Sequence, residues 1–274
     1  RGVQMALSEG DTSFDGINVH FWEGGSGFPI LMIHGSGPGA STLGNWRLVL
    51  EPLAERYHIV AADLIGFGRS GRKKAPPYFD FDLWLRQAEH MLERFPEREV
   101  GIIGHSLSGA IALKLAARHA RVTKVLTTGS MGARFTPNEH TERVWTFPET
   151  RDDLRATAEC LVYDKSVITA EYLDNRMKVL HSDGYADYFR AMFAGDKQGY
   201  IDAAVLSDEE LKSVRCDVLM VHGRNDQPFP YELTTLPIAE KLPQADVLAL
   251  GRCGHSPALE HPAKLLKAVE ALFG

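Results

Sequence analysis

Residues 100–113, Val-Gly-Ile-Ile-Gly-His-Ser-Leu-Ser-Gly-Ala-Ile-Ala-Leu, constrain this chain more than any other stretch. A short apolar run reaches Gly104, turns at His105-Ser106-Leu107 and leaves through Ser108-Gly109 into an Ala- and Leu-rich helix. So tight a strand-to-helix junction forces its central residue into a strained backbone conformation and pushes that side chain outward. Small neighbours at 104 and 108 let the two elements approach. This is the pattern of a nucleophile elbow, written here as Gly-x-Ser-x-Ser in place of Gly-x-Ser-x-Gly.

A serine hydroxyl is a poor nucleophile at neutral pH, so a base must take its proton and a third group must orient that base. In folds built around such an elbow the chain order is serine, acid, histidine. Residues 217–226 read as an apolar strand, a Gly turn and then Asp226. Residues 247–257 read as a second apolar run followed by a loop carrying His255. Ser106, Asp226 and His255 therefore fall in the required order, each just past a predicted strand. Other histidines have duller readings: His222 sits in a buried run, His34 shapes a Gly-rich loop, and His105 flanks the nucleophile where it could touch a substrate. Asp217 and Asp246 begin strands and are weaker candidates for the acid.

Residues 29–39 form an apolar strand running into a loop with three glycines, Gly35, Gly37 and Gly39. Exposed amides in such a loop can meet a developing negative charge without reorganising. The two expected donors are the backbone N–H groups of Ser36 and Leu107. A phosphate cradle is a poor alternative, because the glycines of this loop form neither Gly-Lys-Ser/Thr nor GxGxxG.

With 274 residues, the chain suits one core carrying an insertion. A net charge of -6 supplies no basic field for nucleic acid, and Arg69, Arg72, Lys73 and Lys74 read as a solvated loop edge. No apolar stretch reaches the roughly 18 residues of a membrane span. No basic and apolar leader opens the sequence, so the expectation is a cytoplasmic protein. Cys160, Cys216 and Cys253 are odd in number and widely spaced, which points to free thiols in a reducing compartment and not to a zinc site.

Strands are expected at 17–22, 29–34, 58–63, 100–104, 123–129, 217–222 and 246–250, with helices at 44–56, 80–95, 107–119, 233–242 and 262–273. The central strands are continuous apolar runs, as in a parallel sheet covered on both faces. Residues 17–22 alternate and read as an antiparallel edge. The order defines a doubly wound α/β fold. Residues 132–207 break the alternation with amphipathic helical stretches rich in Trp, Tyr and Phe. They are expected to form a helical lid over the core, 1–131 and 208–274, because they leave the sheet at a strand's C-terminal end. Most of the lid aromatics should pack as its own small core, and some should line a pocket suited to an apolar or planar substrate.

His34-Gly35-Ser36-Gly37-Pro38-Gly39-Ala40 with Asn45-Trp46-Arg47, Gly66-Phe67-Gly68, and Gly251-Arg252-Cys253-Gly254-His255 together resemble the meta-cleavage product hydrolases. The likeness runs through both halves of the core and more loosely through the lid. It implies the α/β-hydrolase fold and a hydrolase that cuts a carbon–carbon bond in 2-hydroxy-6-oxo-hexa-2,4-dienoates bearing a C6 acyl or aryl group. It implies Ser106, Asp226 and His255 as the triad, with Gly35, Asn45, His105, Arg176 and Ser256 around the substrate. A guanidinium at 176 would match a carboxylate bidentately, with Arg143, Arg151 and Lys178 as competitors. The resemblance also implies no metal or organic cofactor and a homodimer or larger homo-oligomer. The family usually has Asn where this chain has His105, Gly where it has Ser108, and an aromatic where it has Ser256, so the pocket should differ in size or polarity. Two other readings use the same fold: a carboxylesterase or lactonase, and a ligand-binding protein without turnover.

Overall fold

The structure is a computed structural model that describes residues 7–274; the expectation about a leader concerns opening positions that lie partly outside them. Eight strands, β1 (Leu7–Phe14), β2 (Ile17–Gly24), β3 (Pro29–Ile33), β4 (His58–Ala62), β5 (Val100–His105), β6 (Val122–Thr128), β7 (Asp217–Gly223) and β8 (Ala245–Leu250), form one sheet. Their order is β1-β2-β4-β3-β5-β6-β7-β8. β1, β2 and β4 pair antiparallel, and every pairing from β4 to β8 is parallel. β3 and β5 are buried along their whole length, which is why they read as unbroken apolar runs.

Residues 17–22 do lie in an antiparallel strand, but β1 and not β2 is the sheet edge. β1 escapes a hydrophobic reading because its interior, Ser-Glu-Gly-Asp-Thr-Ser, is polar and largely solvated. The signal that betrays it is Asp15-Gly16, whose φ values of 53° and 73° make the tight left-handed turn of a two-residue hairpin.

Helices α1 (Thr42–Trp46), α2 (Leu50–Ala54), α3 (Phe81–Leu92) and α4 (Leu107–Arg118) precede β6. The single helix expected over 44–56 is thus two short ones. Pro52 explains the break, since in a continuous helix its ring would clash with the carbonyl four residues earlier. Between β6 and β7 lie α5 (Glu139–Val144), α6 (Arg151–Leu161), α7 (Ala170–Leu180), α8 (Tyr185–Met192), α9 (Lys197–Ala203) and α10 (Asp208–Ser213). Trp145 stacks almost parallel on Phe193, their centroids 5.8 Å apart, and both pack on Tyr200. These aromatics are buried, whereas Tyr163 and Tyr172 stay exposed. After β7 come α11 (Thr235–Glu240), α12 (Pro257–Glu260) and α13 (Pro262–Phe273). No helix among the described residues is long and apolar enough to cross a membrane.

Because β3, β5, β7 and β8 run parallel, the loops that follow them open at one edge of the sheet, where α/β folds bind ligands. Ser36, Ser106, Asp226 and His255 are carried by those four loops. The strand–helix junction at β5 closes tightly: a Cβ at Gly104 would be driven into the Ser108 carbonyl oxygen. Gly104→Ala should therefore lower the unfolding free energy by about 1–3 kcal/mol in a denaturant melt. A variant as stable as the parent would show that β5 and α4 do not need this contact.

Candidate active site

Ser106 sits between β5 and α4 with φ 57° and ψ -121°, the strained conformation an elbow requires. Its N–H donates to the Thr128 carbonyl at 2.9 Å, and its own carbonyl accepts from the Gly109 and Met131 amides at 2.9 and 3.0 Å. This ties the strained residue to β6 and to the first turn of α4. Leu107 opens α4, so its amide has no intrahelical acceptor. Among the described residues, neither that amide nor the Ser36 amide has a protein acceptor.

The loop bearing Ser36 is pinned from two sides. The His34 ring accepts the Leu64 amide on Nε2 at 2.9 Å, which leaves Nδ1 protonated to donate to the Gly35 carbonyl at 2.6 Å. Burial lowers the His34 pKa against the opposing charge of Asp63, so the ring is neutral and structural, as its position in the loop predicts. The His34 carbonyl in turn accepts the Ser108 hydroxyl at 2.6 Å. Trp145 donates to the Ser36 hydroxyl at 3.3 Å. Ser108 thus fastens the loop of Ser36 to the elbow.

Asp226 lies past β7 and is buried. Its Oδ2 accepts His255 Nδ1–H at 2.7 Å, and its Oδ1 accepts the Phe229 amide at 3.0 Å. His222 Nε2 lies 3.0 Å from the same Oδ2 and 2.7 Å from the Phe229 carbonyl. Burial by itself would raise the Asp226 pKa; the facing charge of His255 and the hydrogen bonds from His222 and His255 outweigh it and hold the carboxyl well below the usual range. His222 was expected to be only structural. No spacing signal reveals its contact with the acid, because the turn after β7 creates it.

One cavity of about 930 Å³ joins these groups, lined by Ser36, Ser106 and His255 together with Gly35, Asn45, His105, Arg176 and Ser256. Every residue expected at the site therefore borders it except Asp226, which stands behind His255, and Leu107, which follows Ser106. Asn45 on α1 is buried, and its Nδ2 has no partner among the described residues. Arg176 on α7 packs against Gly39, whose amide donates to the Tyr185 hydroxyl at 2.8 Å. Of the four cations weighed for the carboxylate, Arg176 alone lines the cavity; Arg151 pairs with Asp174 at 3.2 Å. Arg47, Lys165 and Arg252 also border it. Val144, Trp145, Leu154, Leu161 and Phe229 supply apolar wall.

His105 faces the cavity beside the His255 ring, with centroids 4.6 Å apart. Burial, then the neighbouring His255 charge, pushes its pKa well below the ordinary histidine value, so it is neutral. Its Nδ1 stands 3.0 Å from the Thr128 carbonyl, which assigns the proton there and leaves Nε2 as an acceptor, 3.5 Å from Ser256 Oγ.

An Asp whose folded pKa is depressed adds stability that is present above its unfolded value and lost only as pH falls through the folded one. Asp226→Asn should accordingly lower stability at neutral pH and flatten the acid side of the stability–pH curve below about pH 4, the unfolded carboxylate value. An equally steep acid limb in the variant would contradict an ionised Asp226.

A sequence profile of the alpha/beta hydrolase fold matches residues 29–262. Over 255 residues the chain is 32% identical to a 2-hydroxymuconate semialdehyde hydrolase of Pseudomonas sp. strain CF600, covering 93% of this chain and 89% of that one. It is 29% identical to a 2-hydroxy-6-oxo-2,4-heptadienoate hydrolase of Pseudomonas putida, with coverage of 93% and 92%. Among solved structures, a meta-cleavage product hydrolase from Pseudomonas fluorescens IP01 superposes with a TM-score of 0.90 at 29% identity, over 97% of each chain. The strained serine, the buried acid–base pair and the shared cavity thus sit in a chain that belongs to the α/β-hydrolase family and, within it, to the meta-cleavage product hydrolases.

Proposed function

We propose that this protein hydrolyses the C5–C6 bond of 2-hydroxy-6-oxo-hexa-2,4-dienoates, with Ser106, Asp226 and His255 as its triad. The observation that carries the reading is the His255–Asp226 bond of 2.7 Å opening onto the same cavity as Ser106, Asn45 and Arg176. An ester hydrolase needs only the first three; a dienoate needs its carboxylate and enol oxygens held as well. Arg176 offers a guanidinium for the carboxylate, and Asn45 offers an unpaired amide.

In this account the dienolate is first protonated at C5 to give a ketone. His255, oriented and charge-compensated by Asp226, takes the proton as Ser106 or a water adds to the C6 carbonyl. The Ser36 and Leu107 amides receive the oxyanion, each worth about 2.7–4 kcal/mol in comparable sites. Collapse breaks C5–C6, the electron pair leaving on the dienol fragment. With one water consumed, the products are a 2-hydroxypenta-2,4-dienoate and a carboxylic acid. The helices of 132–207 act as a lid whose apolar wall excludes bulk water from the protonated ketone. The substrate is a free small molecule, and the protein works in the cytoplasm as a homodimer or larger homo-oligomer.

Purified protein should bleach the absorbance of 2-hydroxy-6-oxohexa-2,4-dienoates within seconds to minutes. Ser106→Ala should lower kcat by about 10⁴-fold or more, in line with losses of a triad member elsewhere. Arg176→Ala should chiefly raise KM, by about ten- to a hundredfold for a lost charge-assisted bond. Brisk turnover of p-nitrophenyl acetate that ignores Arg176, with dienoates untouched, would replace this reading with an esterase.

A further inference from the structure

Glu260 lies at the end of α12, five residues after His255, and its carboxylate spans two separate segments. Oε2 accepts the Gly254 amide at 2.6 Å, in the loop that carries His255. Oε1 accepts the Tyr163 amide at 2.7 Å, in the stretch just after α6. The two segments also touch directly, because the His255 amide donates to the Leu161 carbonyl at 2.8 Å. They are packed so closely that a Cβ at Gly254 would strike that same carbonyl oxygen. Leu161, Val162 and Tyr163 all line the cavity, as do His255 and Glu260.

We infer that Glu260 is a positioning residue: one carboxylate clamps the segment 161–163 of the helical insertion onto the loop of the base, so that closure of the cavity wall and placement of the His255 imidazole are a single event. The physical reason lies in backbone donors. Two amides of irregular chain, Gly254 and Tyr163, have no ladder partner, and both find an anionic acceptor on the same side chain. Burial raises the Glu260 pKa even though the Tyr163 and Gly254 amides favour the charged form, so the two bonds offset only part of the cost of burying this carboxylate. The inference rests on His255 being the base of the proposed reaction, and it adds a group that touches neither Ser106 nor Asp226.

The test uses the full chain with Glu260→Ala and Glu260→Gln. Gln keeps one carbonyl acceptor and turns its amide N–H₂ toward the second donor, so it should restore half the clamp. Hydrogen exchange of the Gly254 and Tyr163 amides should quicken together, by about tenfold or more, in Glu260→Ala while β3 and β5 amides stay protected. In the same variant kcat should fall about ten- to a hundredfold, as expected when a reacting group is misplaced by about 1 Å, with little change in KM. Glu260→Gln should fall between. Exchange at only one of the two amides, or a loss of kcat that tracks global melting, would overturn the clamp. If dienoates prove not to be substrates, p-nitrophenyl acetate turnover and the exchange rates still decide the role of Glu260, so the two readings fail separately.

Discussion

A buried carboxylate held in its charged form is the constraint on which this site depends. Asp226 is removed from water at the end of β7, and an unpaired charge there would be costly. Three groups meet it instead: the His255 imidazole, the Phe229 amide and the His222 ring. Each also sets geometry. His255 is fixed in the tautomer that leaves Nε2 toward the cavity, Phe229 brings an apolar ring to 4.8 Å from His255, and His222 ties the loop to Thr235 on α11. Charge stabilisation and orientation are the same set of contacts.

Around this centre the chain solves a second problem, which is how to hold two irregular loops still. The loop of Ser36 is bonded to α4 through Ser108 and to the segment after β4 through His34. The loop of His255 is bonded to the helical insertion through Leu161 and, by way of Glu260, through Tyr163. Loops so braced lose little further entropy on binding a substrate. Next to His255, His105 and Ser256 make a polar corner with a neutral imidazole. That corner leaves a hydrogen-bond acceptor beside the His255 ring.

Much of this is legible in the sequence because the informative residues obey local rules. Gly104-His105-Ser106-Leu107 announces the elbow, since only small residues permit so sharp a junction, and the apolar runs at β3, β5 and β7 place the loops at one edge. The polar edge strand β1 is hidden from hydrophobic patterning, although Asp15-Gly16 marks its turn. The break between α1 and α2, ahead of Pro52, is likewise written in one residue. The contacts of His222 with Asp226, of Ser108 with His34 and of Glu260 with Tyr163 are not legible at all. They join segments far apart in the chain or across an irregular turn, and no periodicity or motif specifies such meetings. Arg176 is intermediate: the resemblance points to it and its residue type fits the task, but only the structure shows that it lines the cavity and that Arg143, Arg151 and Lys178 do not.

Asp226 is ionised and shares the Nδ1 proton of His255 in a dry setting. Proton NMR of the free protein near neutral pH tests it most directly. An exchange-protected imidazole proton should appear far downfield of the amide region and be absent from His255→Gln, because a charge-assisted bond of 2.7 Å deshields it strongly. A spectrum with no such resonance, or one that survives the substitution, would contradict the account.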